Sequence, residues 1–277
     1  FPYECSEQIV SKFLPNVVTY QALETLGQTG FDTPQTATQP TRLAELEANL
    51  ADQIAVATQR LLQRQNPDGG WGWWANDESR VFVSSYVTFG LVQARDAGFA
   101  VDPAALTRAI SYVQRQLRPV AALQGYELNQ QAFMLYVLAE AGEGDVGRTT
   151  ALYEVRARLA NYGKALLAVT FTLLDDPTSD ERSAVLLDDL NAAAVVSATG
   201  AHWEEDGIDW WTMNSDLRST ALVLDAMARI DPANALAPNV VRWLMSTRTD
   251  GRWATTQENT WSLIALTDWM AATGELE

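Results

Sequence analysis

A turn that contains tryptophan occurs three times along the chain, and each copy is followed by a helical run rich in serine, threonine and alanine. The turns are residues 63–71, 202–207 and 246–253, and the runs that follow them are residues 84–97, 219–224 and 260–266. Small side chains allow helices to approach closely, while a tryptophan ring fills the space at the turn. A helical hairpin repeated about six times along the chain predicts a closed ring of helices.

The spacing of apolar residues is helical through most of the sequence. Apolar side chains recur three and four positions apart, for example over residues 43–61 and 222–230, and no stretch alternates at period two for long. Glycine- and proline-rich stops divide this pattern into roughly ten to twelve helices with mostly short connections. Asp102, before Pro103, and Ser179 are predicted helix N-caps. We therefore predict an all-α fold, an α/α toroid of about six helical hairpins that form inner and outer rings.

Tryptophans fall into two groups in this pattern. Trp71, Trp203 and Trp253 have equivalent positions in the repeat, so we expect them to fill space at the ends of hairpins. Trp73 and Trp74 follow the first turn and the repeat does not explain them. Two further rings beside a glycine-rich loop would either cover a site from solvent or form an interface with another domain.

Charge and hydropathy exclude several classes of protein. Lys and Arg total 19 against 35 Asp and Glu, a net charge of −16, which leaves no electrostatic source for binding nucleic acid. The sequence contains no apolar run of about 18 residues, so no membrane contact by this domain is predicted. Phe1 starts abruptly, without the sections of a signal peptide. We expect residues 1–277 to be a single domain and a fragment of a larger multidomain protein.

Metal ligands of the usual zinc type are scarce in the sequence. The chain has one cysteine, Cys5, and one histidine, His202, so it predicts no internal disulfide, no metal and no cofactor. Only two of the 19 basic residues are lysine, namely Lys12 and Lys164. The bland explanation of that shortage is a compositional bias toward arginine.

Near the amino end, Cys5 and Gln8 are three residues apart and occupy one turn. If the turn is compact, Sγ of Cys5 reaches the carboxamide carbon of Gln8, and expulsion of ammonia closes an internal thioester. Because amides are normally inert to thiols, the surroundings must activate the pair. We expect a helix that starts after Glu7 to direct free N–H groups and its positive end at the ring, stabilising an oxyanion and the departing thiolate.

Residues 3–8, together with residues 13–16, resemble the thioester motif of the α2-macroglobulin and complement family, in its bacterial branch. Residues 68–71, 202–204 and 251–258 resemble repeats of the same domain, and the resemblance extends from Tyr3 to about Ala271. It implies that residues 1–277 are a thioester domain. In this family Cys5 corresponds to the thiol partner and leaving group, Gln8 to the acyl donor, and Glu7 to a glutamate of the motif whose role stays open.

The resemblance implies a broad-spectrum protease trap, a single-turnover inhibitor and not an enzyme. A protease cleaves a bait region elsewhere in the protein, the thioester is exposed, and a nucleophile on the protease takes the acyl group. The implied partners are target proteases, bound covalently, and other domains of the same full-length chain. The implied location is periplasmic or at the cell surface or outside it, with a membrane-anchored lipoprotein as one form. Tyr3, Trp73 and Trp74 are candidate shielding residues.

One departure from the complement side of the family bears on the target. Complement proteins that prefer hydroxyl targets place a histidine in the loop after the first Asp-Gly repeat, and residues 71–84 contain none. Transfer is therefore expected to go directly to lysine amines, with His202 as a structural hydrogen-bonding residue. A lysine-poor surface would also spare the thioester from its own domain, although Lys12, four residues after Gln8, would have to point away.

Other classes of protein use the same fold, so a toroid alone does not decide function. Terpene cyclases, prenyltransferase subunits and glycoside hydrolases are the enzyme alternatives. The acidic run 175–180 is the cluster a cyclase would use, but Pro177 and the neighbouring Ser and Thr favour a loop and helix cap. Glycoside hydrolysis would need a carboxylate pair, for which residues 204–209 offer candidates without fixing a pair. A non-covalent interaction module is the third option.

Overall fold

Helices dominate the computed structural model, which describes residues 4–28, 42–207 and 209–275. Within that part of the chain the α-helices are α1 (Ser6–Gln28), α2 (Arg42–Leu62), α3 (Val81–Asp96), α4 (Pro103–Gln116), α5 (Tyr126–Glu140), α6 (Val146–Tyr153), α7 (Asn161–Thr172), α8 (Ser179–Ala192), α9 (Asp216–Ile230), α10 (Ala237–Ser246) and α11 (Thr256–Ala272). Two 3₁₀ turns span Val120–Ala122 and Arg156–Arg158, and a short hairpin consists of β1 (Val195–Ser197) and β2 (Gly200–His202). The predicted all-α class is confirmed.

The odd-numbered helices form a closed inner ring. Each of α1, α3, α5, α7, α9 and α11 packs against the next in that order, and α11 packs back against α1. The even-numbered helices α2, α4, α6 and α8 lie outside, each against the two inner helices that flank it in sequence, while α10 packs against α9 and β2. This architecture confirms the predicted α/α toroid with inner and outer rings.

Inside the ring of helices, a small residue allows close helix approach and aromatic side chains fill the centre. On α3 the glycine Gly90 faces α1 so closely that a Cβ there would lie 2.8 Å from Phe13 Cε1. Toward the centre, aromatic side chains from α3, α5 and α11 pack against one another, with ring centroids 5.3–6.5 Å apart: Phe82, Tyr86, Phe89, Phe133, Tyr136 and Trp261. Inner helices are therefore buried on most sides, which explains why α3 and α5 are apolar nearly all round.

The three repeat tryptophans make the same contact at three places. Each is buried, and each indole N–H donates to a carbonyl oxygen near the end of the preceding outer helix: Trp71 to Leu61 at 2.7 Å, Trp203 to Leu190 at 2.7 Å and Trp253 to Leu244 at 2.9 Å. The last carbonyls of a helix have no partner within the helix. The tryptophans therefore fill space and also satisfy a helix end, which confirms their predicted packing role.

The inner helices run in the same direction, so the toroid has two distinct faces. At one face the starts of α1, α9 and α11 meet, because Ser215 donates to Glu258 and Thr256 donates to Glu7. At the other face the last turns of α5, α9 and α11 meet at Arg229, which pairs with three carboxylates: Glu140 at 2.7 Å, Asp225 at 3.1 Å and Asp268 at 3.3 Å. The segment that contains Cys5 lies at the face formed by the helix starts.

Local predictions differ in outcome. Asp102 is confirmed as an N-cap, since its side chain accepts a hydrogen bond from the Ala104 amide at 3.0 Å. The predicted cap at Ser179 is wrong: Ser179 is the first residue of α8, and the preceding Thr178 makes no side-chain cap bond. The β1–β2 hairpin was not predicted, because strands of three residues are too short for alternation to show. None of the described helices is long and apolar enough to cross a membrane.

Replacement of Trp203 by alanine should lower the free energy of unfolding by about 3–5 kcal/mol, because it opens a cavity in the core and removes the indole hydrogen bond to the Leu190 carbonyl. Urea unfolding followed by circular dichroism measures this difference. Trp210→Ala is the matched control, since Trp210 is 81% exposed and its loss should change the unfolding midpoint little. Equal losses in the two variants would contradict the packing role.

Candidate functional site

Cys5 immediately precedes helix α1 and acts as its N-cap residue. Its carbonyl accepts the first helical hydrogen bond, from the Ile9 amide at 3.1 Å. The sequence predicted a helix start after Glu7, and the structure starts the helix earlier, at Ser6. Because the first amides of a helix have no intrahelical acceptor, the N–H groups of Glu7 and Gln8 are available to the Cys5 side chain.

The side chains of Cys5 and Gln8 lie within the same turn. The Cys5 amide donates to Oε1 of Gln8 at 3.2 Å, and the Gln8 amide donates to Sγ of Cys5 at 3.4 Å. Each side chain therefore contacts the backbone of the other residue. Cys5 is buried, with 8% of its surface exposed, and Gln8 is half-buried. The structure brings together the thiol and the carboxamide that the sequence singled out.

The electrostatic environment of the Cys5 thiol differs from the expectation. Burial raises its pKa, and the Glu7 carboxylate raises the pKa further, while the amides of Gln8 and Glu7 act in the opposite direction. The predicted stabilisation of a thiolate by the helix start is thus outweighed by desolvation. An uncharged sulfur, either a thiol or an acylated thiol, is the form that this site favours.

Glu7 connects the first and last helices of the inner ring. Its side chain is 2% exposed, and its Oε1 accepts hydrogen bonds from Ser11 Oγ at 2.6 Å, Thr256 Oγ1 at 2.9 Å and Gln257 Nε2 at 2.8 Å. Ser11 Oγ lies 3.0 Å from the Tyr86 hydroxyl. The role of Glu7 that the sequence left open is therefore visible as a structural one: a buried carboxylate that joins α1 to α11.

Glu4, just before Cys5, is held by cations from two helices. Its carboxylate pairs with Lys12 on α1 and with Arg60 on α2 at 2.8 Å, while Arg64 Nη1 donates to its carbonyl oxygen at 2.8 Å. The Lys12 hydrogen bond is the main cause that lowers the pKa of Glu4, and Arg60 adds to it. Sequence reasoning missed this cluster, because Arg60 and Arg64 are more than fifty residues from Glu4 and only the fold brings them together.

The loop after the first tryptophan turn lies against the motif. The Ser6 amide donates to the Trp73 carbonyl oxygen at 2.8 Å, and the half-buried Trp73 ring packs on Phe82 with centroids 6.5 Å apart. Trp74 is 51% exposed. Of the candidate shielding residues, Trp73 therefore lies beside the motif, Trp74 is mostly solvent-exposed, and Tyr3 lies outside the described residues.

His202 has contacts that suit the structural role predicted for it. Its Nε2 lies 3.3 Å from Oε1 of Glu204, and its ring stacks on Trp243 of α10 with centroids 4.6 Å apart. These contacts fix the end of β2 against α10 and involve no residue of the Cys5–Gln8 turn.

The carboxylates that a cyclase or glycoside hydrolase would use form hydrogen bonds and ion pairs with nearby helix starts and loops. Glu205 accepts hydrogen bonds from the first amides of α7, at Asn161 and Tyr162, and Asp209 accepts from Trp211 and Thr212. Within the run 175–180, Asp176 accepts from Thr178 and pairs with Arg182 at 3.2 Å. Because these groups hold helix starts and loops, they give no support to a catalytic pair.

Comparisons with known proteins agree on one family. Residues 1–124 match the family model described as "A-macroglobulin TED domain". A protein named alpha-2-macroglobulin from Escherichia coli strain K12 is 26% identical over 275 residues, which cover 94% of this chain and 15% of that protein. The chain is similar to α2-macroglobulins over most of its length, and its amino-terminal part matches their TED domain. A second relative of that name, from Thermotoga maritima, is 33% identical over 135 residues, 48% of this chain and 7% of the relative.

Solved α2-macroglobulin structures share the toroid. The Escherichia coli protein in its native form, from domain MG7 to the C-terminus, superposes with a TM-score of 0.70 and 21% identity, covering 97% of this chain and 40% of that one. Salmonella α2-macroglobulin reacted with methylamine gives a TM-score of 0.71 and 22% identity, covering 97% of this chain and 16% of that one. This chain thus spans a small part of the α2-macroglobulins it matches.

Glu7→Ala should lower the free energy of unfolding by about 3 kcal/mol, since it removes the buried acceptor that three donors share. Hydrogen exchange should also quicken at the first amides of α11, because the contact between α1 and α11 weakens. Chemical unfolding and exchange mass spectrometry measure the two effects. The matched control is Glu45→Ala on the exposed surface of α2, which should leave both unchanged; a Glu7 variant that behaves like it would exclude the joining role.

Proposed function

We propose that residues 1–277 are one thioester domain of a longer α2-macroglobulin and that Cys5 and Gln8 form its internal thioester. The observation that carries the proposal is a reciprocal contact, in which the backbone amide of each residue donates a hydrogen bond to the side chain of the other. This geometry holds the thiol and the carboxamide on one turn. The proposed site consists of Cys5 and Gln8, with Glu7 as a supporting residue and Trp73 and Trp74 as shielding residues, of which Trp73 is the better placed.

Thioester formation needs no reagent from outside the chain. The sulfur of Cys5 attacks the carboxamide carbon of Gln8, the new C–S bond forms, and the C–N bond breaks. The thiol proton leaves with the amide nitrogen as ammonia. The Cys5 amide, which donates to Oε1 of Gln8 at 3.2 Å, would stabilise that oxygen while it carries negative charge during the attack.

The same surroundings favour storage of the acyl group. A thioester is uncharged, so it avoids the desolvation that raises the pKa of the free Cys5 thiol. Burial of Cys5 and contact of Ser6 with the 71–80 loop limit the access of water to the bond. We therefore infer that the thioester between Cys5 and Gln8 is stable until a change elsewhere in the full-length protein exposes it.

The proposed reaction is transfer of the Gln8 acyl group to a lysine amine of an attacking protease. The amine nitrogen attacks the acyl carbon, the C–S bond breaks, and a proton returns to the Cys5 sulfur. Similar proteins support a protease and an amine as the reacting partners, because Escherichia coli α2-macroglobulin has been solved activated by porcine elastase and by trypsin, and the Salmonella protein has been solved reacted with methylamine. Bait-region cleavage, covalent protease inhibition in a single turnover, and an extracytoplasmic location all belong to this proposal.

Intact mass spectrometry tests the thioester directly. The 277-residue chain should be lighter than its sequence mass by one ammonia, and methylamine should add its mass and release one thiol that reacts with iodoacetamide. Cys5→Ala and Gln8→Ala should each remove the mass deficit and the methylamine response, because the first lacks the sulfur and the second lacks the acyl carbon of the thioester.

Both variants should keep the helical circular dichroism spectrum, since Cys5 contributes little core area at the edge of α1. Ser79→Ala in the neighbouring loop is a control that should retain the deficit. A wild-type chain with the full sequence mass and a methylamine-insensitive thiol would overturn the proposal.

Amines should be acylated in preference to hydroxyl groups. Residues 71–80, the loop whose Trp73 carbonyl contacts Ser6, and the first turn of α3 supply no imidazole to relay the acyl group. Without a relay, the more nucleophilic amine reacts directly with the thioester. Competition between methylamine and glycerol, read by the mass of the conjugate, should therefore give almost only the amide. Dominant ester formation at matched concentrations would contradict the assignment of lysine as the target.

A further inference from the structure

Lys12 is the nearest lysine in sequence to the proposed thioester. The only other lysine, Lys164, lies on α7. Lys12 follows Gln8 by four residues, and side chains four apart in a helix are neighbours on its surface. An amine held next to a reactive acyl group has a very high effective concentration, so even a small unprotonated fraction would consume the bond.

The Lys12 side chain forms an ion pair. It pairs with the carboxylate of Glu4, which is itself only 7% exposed. Glu4 precedes Gln8 by four residues and Lys12 follows it by four, so the ion pair joins residues on either side of Gln8 in the sequence. The pair therefore holds the Lys12 amine nitrogen at the Glu4 carboxylate, which precedes the first residue of α1.

Arginines of α2 hold the carboxylate in position. Arg60 binds the second Glu4 oxygen at 2.8 Å, and Arg64 binds the Glu4 carbonyl oxygen at 2.8 Å. A guanidinium group stays protonated in proteins, so neither residue is an amine nucleophile toward the thioester. The cluster thus brings positive charge to Glu4 without adding a second competitor for the acyl group.

We propose that Glu4 is a positioning residue that protects the thioester from Lys12. The inference rests on the proposed Cys5–Gln8 bond. The ion pair keeps Nζ of Lys12 directed at the Glu4 carboxylate, and the bound ammonium has no lone pair with which to attack. In the reaction that is prevented, neutral Nζ attacks the Gln8 acyl carbon, the C–S bond breaks, and the proton from nitrogen passes to sulfur. The product is a Gln8–Lys12 amide and a Cys5 thiol.

The side reaction has a distinctive signature. Because the amide contains the same atoms as the thioester, the intact mass of the chain stays short by one ammonia. The methylamine response is lost, however, and a thiol becomes available. Peptide mapping should find residues 8 and 12 joined, which hydrolysis of the thioester by water cannot produce.

The test uses the 277-residue chain with Glu4→Gln, Lys12→Arg and both changes together. After timed incubation, the methylamine-reactive fraction should fall about tenfold faster in Glu4→Gln than in the wild type, with the Gln8–Lys12 peptide accumulating. Adding Lys12→Arg should restore the wild-type lifetime, since an arginine cannot form the amide. Adding Lys164→Arg to Glu4→Gln is the matched control and should restore nothing.

Other outcomes overturn the inference in distinguishable ways. A Glu4→Gln chain that loses its thioester with or without Lys12 would show that Glu4 only holds the backbone of the motif. A Glu4→Gln chain with the wild-type lifetime would show that Lys12 needs no restraint. A wild-type chain that never shows the ammonia deficit would overturn the proposed function itself, and the protective role with it.

Discussion

The hydrogen bonds to Glu7 join the two ends of the inner ring. A ring of helices has to be closed between its first and last members, and here α1 and α11 meet at a buried carboxylate with three donors. Buried charge is unfavourable unless it is fully hydrogen-bonded, so the contact tolerates little rearrangement. Glu7 lies between Cys5 and Gln8 in the sequence, and the interaction that closes the ring therefore also fixes the turn on which the proposed chemistry depends.

Charge around the turn is arranged so that the reacting groups stay neutral. Acidic side chains lie on either side, with Glu4 paired to Lys12 and Arg60, and Glu7 hydrogen-bonded to α11. Between them the Cys5 thiol is buried, and its raised pKa marks a site that disfavours a free thiolate. An acylated sulfur meets no such penalty. The local electrostatics are thus consistent with storage of an acyl group, and departure of the sulfur would be easier after exposure to solvent.

Much of the fold could be predicted from the sequence because tryptophans recur at equivalent positions and make the repeat recognisable. Trp71, Trp203 and Trp253 mark equivalent helix ends, and their contacts in the structure are nearly identical. The Cys5–Gln8 spacing likewise identified the candidate pair. What the sequence did not reveal depends on distant contacts: the grip of Arg60 on Glu4, the bond of Ser6 to Trp73, and the sign of the shift in the pKa of Cys5, in which burial outweighs the helix start.

Arg229 joins the last turns of three inner helices at the face opposite the Cys5–Gln8 turn. Together with the Glu7 contacts at the other face, it joins inner helices at both faces of the toroid. A toroid whose inner helices are joined at both faces resists relative movement of those helices, so a force from outside moves it as one body. The Cys5–Gln8 turn would then keep its conformation when it becomes exposed, and so would the thioester proposed for it.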